Sequence, residues 1–540
     1  METAIFIPAV KKNVAFADDL VKKLADKTLI QRAINKARKI VSEQCIYVVT
    51  DSEEICLACK RNNVQYYYDK DLWFSSPHVI DNLGFVLSQF SEDYKEIILL
   101  SPYAPLLDGE DILKALEKFR SEKNCELLIP VKKEKSRAFQ QNKIGFREML
   151  IGGSEHELLI ESQAFKILSS SLVNNGFKNN KVKPFSYELN NNFLEISSYQ
   201  DWWVSEKLLK RKRIVFRVKG DERIGMGHIY RALTLAHEIT DHEVYFICDE
   251  KSQKAVERLA GGDYWIGVYK ETEMVDRILD LKPDLVINDI LNTKKNYVLK
   301  LRNNGIKVVN FEDLGAGAKH SNLTINELYD APEFQGKNTL WGIKYFFLRE
   351  EFSEARPNRF KNEVNTILVT FGAADPNDFT RKIFRGIFSY CTKKQIKIFL
   401  VTGGGYRHIE KLKNEIQNFP ESQVQYVHIT GVISHIMQQS QIAIAANGRT
   451  PYELAHMNIP SIILSHNERE LGHSFATRER GFIPLGLYKG TGKDGKILKA
   501  LKKIVENHDF RRECFNRMRP FRFQKNKKKV LKFIYELLGN

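Results

Sequence analysis

The sequence predicts an α/β protein with more than one domain. Short apolar runs of strand type, among them AIFIPA, RIVFRV and TILVTFG, alternate with longer helical patterns along almost the whole chain. This alternation is typical of parallel sheets that are covered by helices on both faces. At 540 residues the chain exceeds what one hydrophobic core usually supports, so two or three domains are expected.

Charged and polar stretches predict the domain boundaries. The basic run KLLKRKR ends a helical pattern just before a new strand, and the turn-rich stretch EARPNRFKNEVN precedes the strand TILVTFG. The expected organisation is an N-terminal domain at 1–206, a basic linker at 207–213, two α/β lobes at 214–360 and 361–510, and a basic C-terminal helix at 511–540.

The formal net charge of +16 suits an anionic partner. The basic residues are dispersed apart from the linker and the C-terminal tail, so we expect phosphorylated small molecules as ligands and no nucleic acid. A peripheral contact of the tail with an anionic membrane stays open, beside a plain solvated helix face. No run approaches the roughly 18 apolar residues of a membrane span and the N-terminus lacks a signal-peptide pattern, so we expect a cytoplasmic protein without a transmembrane segment.

A turn with glycines and a histidine lies at the start of the first lobe. In RIVFRVKGDERIGMGHIYRALTLA a strand ends at Val218, and Gly225 and Gly227 flank the entrance to a helix. Glycines there let the backbone approach a ligand, and the free amides of a helix start favour an anion. His228 then lies in the crevice above the strand ends, where a neutral imidazole could take a proton from an attacking water. Gly225, Gly227 and Arg231 are all predicted to bind the substrate. The alternative is a plain tight turn with a surface histidine.

A second set of glycine turns lies in the second lobe. The segment IAIAANGRTPYELAH has a strand, a turn at Asn447 and Gly448, then Thr450, and Glu453 on the following helix. In a nucleotide-sugar site, turn amides and a hydroxyl can meet a diphosphate while the carboxylate takes the ribose hydroxyls. The segment VTFGAADPND adds a turn at Gly372 at another strand end. These residues are predicted to bind the substrate.

The order of these turns resembles the two-lobed nucleotide-sugar fold called GT-B. More closely, the segments IGMGHIYRALTLA, DLVINDIL, GIKYFFLREEF, TFGAADPNDFT and ANGRTPYELAH resemble the UDP-sugar hydrolase of pseudaminic acid biosynthesis and its spore-coat polysaccharide relatives, over about 213–490. The resemblance implies hydrolysis of UDP-2,4-diacetamido-2,4,6-trideoxy-β-L-altropyranose to the free sugar and UDP, without a cofactor. It implies that His228 is the base and that Asp289 is part of the substrate site.

Two positions depart from this family. The family's Asp-x-Tyr motif reads DIL here, which keeps Asp289 but puts Leu291 where a tyrosine is expected. The residue before the helix glutamate, often asparagine in relatives, is Tyr452. The nucleotide half of the site is therefore kept, whereas the sugar half has diverged.

The N-terminal domain resembles the cytidylyltransferases that make CMP-nonulosonates, which have a Rossmann-type, nucleotidyltransferase-like fold. The resemblance runs over 1–206 through AIFIPA, KTLIQRAINKARK, CIYVVTDSEEI and LLSPYAPLLDG. It implies CTP and a nonulosonic acid as ligands, and Mg²⁺ held by carboxylates to offset the triphosphate charge if this domain is active.

The N-terminal domain departs from that family where its chemistry is expected. The first loop, VKKNVAFADD, lacks the family's arginine and glycines, so the CTP-site candidates are Lys11, Lys12 and Lys27. In ISSYQDW, Ser197 replaces an expected aspartate and Asp201 is the metal-ligand candidate left. A diverged copy without activity is the alternative.

The sequence therefore predicts a fused enzyme of nonulosonic acid biosynthesis. Its C-terminal half is expected to cleave a UDP-linked amino sugar with water, and its N-terminal half to activate the nine-carbon acid with CTP if it is active. A GT-B glycosyltransferase that passes the sugar to a surface-polysaccharide or lipid-linked acceptor is the first alternative. A non-catalytic scaffold for other pathway enzymes is the second.

Overall fold

The computed structural model describes residues 2–11, 16–72, 79–90, 92–134, 139–142, 145–148, 158–175, 183–189, 194–220, 226–490 and 495–539. The chain divides into an N-terminal unit, Met1–Arg211, and a C-terminal unit, Lys212–Asn540. Both units are α/β with mostly parallel sheets, which confirms the predicted fold class.

The N-terminal unit is built on a mixed sheet of eight described strands in the order β10-β7-β11-β6-β1-β4-β5, with β12 beside β7. The strands of the whole unit are β1 Thr3–Pro8, β2 Lys23–Leu24, β3 Lys27–Thr28, β4 Ile46–Thr50, β5 Gln65–Tyr68, β6 Glu96–Leu100, β7 Leu127–Glu134, β8 Phe139–Asn142, β9 Gly145–Glu148, β10 Leu158–Glu161, β11 Phe165–Ser169 and β12 Phe185–Glu188. Outside the eight-stranded sheet, β2 pairs with β3 and β8 pairs with β9. The helices are α1 Leu29–Ala37, α2 Glu53–Arg61, α3 Val79–Ser88, α4 Gly109–Ser121, α5 Ser170–Asn174 and α6 Tyr199–Leu209.

The pattern of α1 shows how this unit forms. Thr28 caps the helix by accepting a hydrogen bond from Gln31 N at 3.2 Å. Apolar residues at helical spacing, including Ile30 and Ile34, are buried against the sheet.

The central strand β1 is buried on both faces and pairs in parallel with β4 and β6, while β11 runs antiparallel to β6. A continuous apolar run is what such a central strand needs.

The first lobe of the C-terminal unit is a fully parallel sheet of seven described strands in the order β15-β14-β13-β16-β17-β18-β19. The strands are β13 Arg213–Val218, β14 Glu243–Asp249, β15 Trp265–Tyr269, β16 Leu285–Asp289, β17 Lys307–Phe311, β18 Leu323–Asn326 and β19 Thr339–Trp341. The helices are α7 Gly227–Ala236, α8 Gln253–Ala260, α9 Met274–Asp280 and α10 Lys295–Asn303.

The second lobe is a parallel sheet of six described strands in the order β22-β21-β20-β23-β24-β25. The strands are β20 Thr366–Thr370, β21 Lys397–Thr402, β22 Val424–His428, β23 Ile442–Ala446, β24 Ser461–Ser465 and β25 Phe482–Leu487. The helices are α11 Phe379–Lys393, α12 Ile409–Ile416, α13 Ile433–Gln439, α14 Thr450–His456, α15 Glu468–Leu471, α16 Lys496–Glu506 and α17 His508–Met518.

The strand order of each lobe reverses at one point, which is where open parallel sheets bind ligands. In the first lobe the reversal lies between β13 and β16, which bear the turn before α7 and Asp289 at their carboxyl ends. In the second lobe it lies between β20 and β23, which lead into the turns at Gly372 and Gly448. The topology therefore brings the start of α7, Asp289 and the turns at Gly372 and Gly448 to the two switch points.

The C-terminal tail differs from the single helix predicted at 511–540. Its first residues end α17, and a separate helix, α18 at Asn526–Leu538, follows. Val530, Leu531 and Ile534 of α18 are buried in the core of the first lobe, so the tail returns from the second lobe to the first. None of the helices in the described part of the chain has the length and apolar character that a bilayer crossing needs. Membrane contact by the tail stays a prediction.

Candidate functional site

A cavity of about 600 Å³ lies between the two lobes of the C-terminal unit, a size typical of small-molecule sites. Both lobes supply its walls. The predicted site residues that line it are Gly227, His228, Gly372, Gly448, Thr450 and Glu453. The topology of the two sheets therefore brings together residues that are more than 200 positions apart in the sequence.

His228 and Asp289 form a buried pair at the wall of this cavity. His228 lies in the first turn of α7, and its Nδ1 atom is hydrogen-bonded to Asp289 Oδ1 at the end of β16. The two residues are 5% and 1% exposed. A carboxylate oxygen only accepts, so Nδ1 carries the proton and Nε2 is left with a lone pair. This is the tautomer that a general base facing the cavity needs.

Arg231 fixes the position and charge of Asp289. Its Nε donates to Asp289 Oδ2 at 2.7 Å and its Nη2 to Oδ1 at 2.5 Å, in a bidentate pair. Burial by itself would raise the pKa of Asp289, but Arg231 and then His228 outweigh it and hold that pKa well below its usual range. Arg231 is 1% exposed and its other donors go to Glu327 and Glu312. The geometry favours a positioning role for Arg231 over the predicted direct contact with substrate.

The turns of the second lobe hold the other predicted residues. Gly372 has a φ of +76°, a left-handed conformation that favours glycine. Asn447 Nδ2 donates to the carbonyl of Glu470 at 2.6 Å, so its side chain holds the turn in place. Glu453 Oε1 accepts from Arg349 Nε at 2.9 Å, and its carboxylate lines the cavity. Gly225 lies outside the described residues.

Sequence reasoning missed several charged side chains that line the cavity, among them Glu312, Arg349, Arg449 and Arg469. Glu312 follows β17 and is surrounded by cationic or ionisable groups. Burial by itself would raise its pKa, but His228, Arg231, His473 and Arg469 together lower it to about 2. The only sequence signal for Glu312 was its place at the end of a strand, in the segment FED, because its partners lie far away along the chain.

In the N-terminal unit the predicted CTP and metal residues have protein partners. Lys11 Nζ lies 2.8 Å from Asp18 Oδ1 and 3.1 Å from Glu54 Oε2. Lys27 is exposed in the hairpin of β2 and β3, and Lys12 lies outside the described residues.

Asp201 lies in the first turn of α6, where Asp201 Oδ2 accepts from Ser197 Oγ and Ser198 Oγ, both at 2.8 Å. Within the described ranges no group of three or more His, Cys, Asp or Glu side chains is placed to hold a metal ion. Asp201 is already engaged by two serine hydroxyls, and this one carboxylate does not fit a Mg²⁺ site by itself.

Comparisons with known proteins agree with both halves of the sequence interpretation. Residues 20–198 match the family model described as cytidylyltransferase. The N-terminal unit carries a cytidylyltransferase-type domain. The chain is 25% identical to the pseudaminic acid cytidylyltransferase and UDP-2,4-diacetamido-2,4,6-trideoxy-β-L-altropyranose hydrolase of Helicobacter pylori, over 42% of this chain and 40% of that protein.

It is 25% identical to the spore coat polysaccharide biosynthesis protein SpsG of Bacillus subtilis, over 57% of this chain and 92% of that protein. An uncharacterised protein of Methanocaldococcus jannaschii is 26% identical over 47% of this chain, and the chain spans 56% of that relative's length. Among solved structures, MurG of Acinetobacter baumannii superposes with a TM-score of 0.45 at 12% identity, covering 60% of this chain and 99% of that one. The predicted resemblance to these families is confirmed.

Proposed function

We propose that the C-terminal unit hydrolyses a UDP-linked diacetamido-trideoxy sugar to the free sugar and UDP, as a step of nonulosonic acid biosynthesis. The observation that carries the proposal is the His228–Asp289 pair at the wall of the cavity, with Nδ1 protonated and Nε2 free to act as a base. Similarity to the Helicobacter pylori enzyme, whose name includes this hydrolase activity, supports the choice of reaction.

In the proposed step, a water oxygen attacks the anomeric carbon of the sugar. The water proton moves to His228 Nε2 as the new carbon–oxygen bond forms. The bond between the anomeric carbon and the β-phosphate oxygen breaks, and its electron pair leaves with UDP. Asp289, which is held ionised by Arg231, stabilises the imidazolium that results.

The second lobe is proposed to hold the UDP moiety. Gly372, Gly448 and Thr450 line the cavity and can bring backbone amides and a hydroxyl to the diphosphate. Glu453 keeps one oxygen, Oε2, for the ribose hydroxyls while Oε1 is bound to Arg349. The guanidinium groups of Arg349 and Arg469 at the same cavity offset part of the diphosphate charge.

The N-terminal unit is proposed to be a cytidylyltransferase for the nine-carbon acid made later in the same pathway. The match of residues 20–198 to the cytidylyltransferase model supports this proposal. Mg²⁺ binding in this unit stays a prediction. The ion pairs of Lys11 and the hydrogen bonds to Asp201 Oδ2 favour the alternative, a diverged domain without activity.

The experiment is ³¹P NMR of the full chain with UDP-2,4-diacetamido-2,4,6-trideoxy-β-L-altropyranose and no acceptor. Wild-type protein should release UDP, and His228→Ala should reduce the rate by roughly 10²- to 10⁴-fold. His237→Ala, an exposed histidine that follows the same helix, is the matched control and should keep the wild-type rate. Intact substrate with the wild-type protein would contradict the proposal, and release only after an acceptor is added would favour the glycosyltransferase.

A further inference from the structure

A second histidine of the cavity has its ring orientation fixed by the backbone. His473 follows α15, and its Nδ1 lies 2.7 Å from the carbonyl oxygen of Asn447. A carbonyl oxygen only accepts, so Nδ1 carries the proton and Nε2 of the neutral ring is an acceptor. The side chain is 5% exposed, and Nε2 has no hydrogen-bond partner among the described residues.

A second acceptor lies close to this nitrogen. Glu312 Oε1 lies 3.8 Å from His473 Nε2. The carboxylate of Glu312 has other donors only at long range, with Arg469 Nε 3.5 Å from Oε1 and Arg231 Nη1 3.4 Å from Oε2. A buried acceptor such as His473 Nε2 that faces a second acceptor is unfavourable, because it loses its hydrogen bond to water and gains none from the protein. A ligand donor between them would satisfy both.

This acceptor pair lies on the sugar side of the proposed site. His473 and Glu312 line the same cavity as His228. Arg231 contacts both Asp289 and Glu312, so the acceptor pair is one side chain away from the proposed base. Since His228 must reach the water that attacks the anomeric carbon, the sugar ring, and not the uracil, lies beside it.

We propose that His473 Nε2 and Glu312 Oε1 together bind one N–H or O–H donor of the sugar ring, which makes His473 a specificity-determining residue. The inference rests on the proposed function for its ligand. An acetamido N–H or a ring hydroxyl fits between these acceptors, whereas a carboxylate or phosphate, which offers further lone pairs, does not. Leu291, where the family resemblance implies a tyrosine, also lines the cavity and offers no hydroxyl.

The test compares the affinity for UDP-2,4-diacetamido-2,4,6-trideoxy-β-L-altropyranose with that for UDP, by calorimetry on the full chain. All proteins carry His228→Ala so that the sugar nucleotide stays intact. The parent should bind the sugar nucleotide more tightly than UDP. Adding His473→Phe should weaken sugar-nucleotide binding about tenfold, as expected for one hydrogen bond, and leave UDP binding within about twofold. Adding His473→Gln, which keeps an acceptor, should restore part of the loss.

Three results would overturn the inference. An equal loss for both ligands would make His473 a purely structural residue, and an unchanged preference for the sugar nucleotide would remove it from recognition. A parent that binds both ligands equally would also count against it. If His473→Phe fails to fold, the glutamine variant decides: the inference expects a partial loss of affinity for the sugar nucleotide alone, and an equal loss for both ligands or no loss at all would overturn it. Because these measurements use an inert background, they are separate from the UDP release assay, which tests the proposed function.

Discussion

Arg449 Nη1 of the second lobe donates a hydrogen bond of 2.6 Å to Glu327 Oε1 of the first lobe. The same oxygen accepts from Arg231, which in turn holds Asp289. Glu327 is 0% exposed, so this contact is withdrawn from water. One buried carboxylate therefore joins the turn between β23 and α14 of the second lobe to the His228–Asp289 pair of the first lobe.

Replacing Glu327 by glutamine should destabilise the C-terminal unit. Two guanidinium groups would lose their shared carboxylate inside the protein, and leaving a buried charge uncompensated costs about 3 kcal/mol. Thermal melting of the full chain should show this as a lower Tm. The control is Asp276→Ala, which breaks the exposed 2.6 Å pair with Lys300 and should change the Tm little. Equal effects of the two variants would contradict the role given to Glu327.

Asp289→Asn should separate catalysis from nucleotide binding. The amide can no longer stabilise the imidazolium, and its N–H₂ group favours the wrong tautomer of His228, so kcat for UDP release should fall roughly 10²-fold or more. UDP affinity, measured by calorimetry, should stay near the wild-type value because Asp289 is buried behind His228. A large loss of UDP affinity with unchanged kcat would argue against this assignment.

The resemblance to a known family implied Asp289, and the sequence itself predicted the strands, the turns after them and His228 at the start of a helix. These could be found because a strand end and the turn after it are local features of the chain. Glu327 and Arg449 are 122 positions apart, and their contact exists only once two lobes pack together. The ring orientation of His473 could not be predicted, since it depends on a backbone carbonyl in another turn.

Acidification should weaken the fold in part through His456 of α14. Burial lowers the pKa of His456 to about 4, and Arg522 adds to the same shift. An unfolded histidine has a pKa of about 6.5, so between pH 4 and 6.5 the unfolded chain binds a proton that the folded chain does not. Stability is therefore lost as the pH falls through this window. In His456→Leu, the drop in Tm between pH 6.5 and 4.5 should be smaller than in wild type.

His435, which is exposed on α13, supplies the control for that experiment. His435→Leu should keep the wild-type dependence of Tm on pH. If His456→Leu and wild type lose the same Tm on acidification, the buried histidine does not contribute to acid sensitivity.

Chelation should distinguish the two halves of the chain. The proposed hydrolysis uses His228 as base and Asp289 and Arg231 to hold it, so EDTA should leave the rate of UDP release unchanged. Any CTP-dependent transfer by the N-terminal unit should stop with EDTA and return with Mg²⁺, because a triphosphate needs a cation to offset its charge. Both activities are read in one ³¹P spectrum, and loss of UDP release with EDTA would contradict the proposed step.

At Leu291, which lines the cavity, a glycine variant should be more stable than an alanine variant. This is the reverse of the order that is usual inside a helix. The φ of Leu291 is +65°, a left-handed conformation that costs roughly 1 kcal/mol for a residue with a Cβ atom and nothing comparable for glycine. Leu291→Gly should therefore melt at a higher temperature than Leu291→Ala. At Leu208, a partly exposed position in α6, the glycine variant should be the less stable of the two by about 1 kcal/mol. If the alanine variant is the more stable one at both positions, the backbone at Leu291 relaxes when its side chain is removed. In that case backbone strain at Leu291 is not needed to shape the sugar side of the cavity.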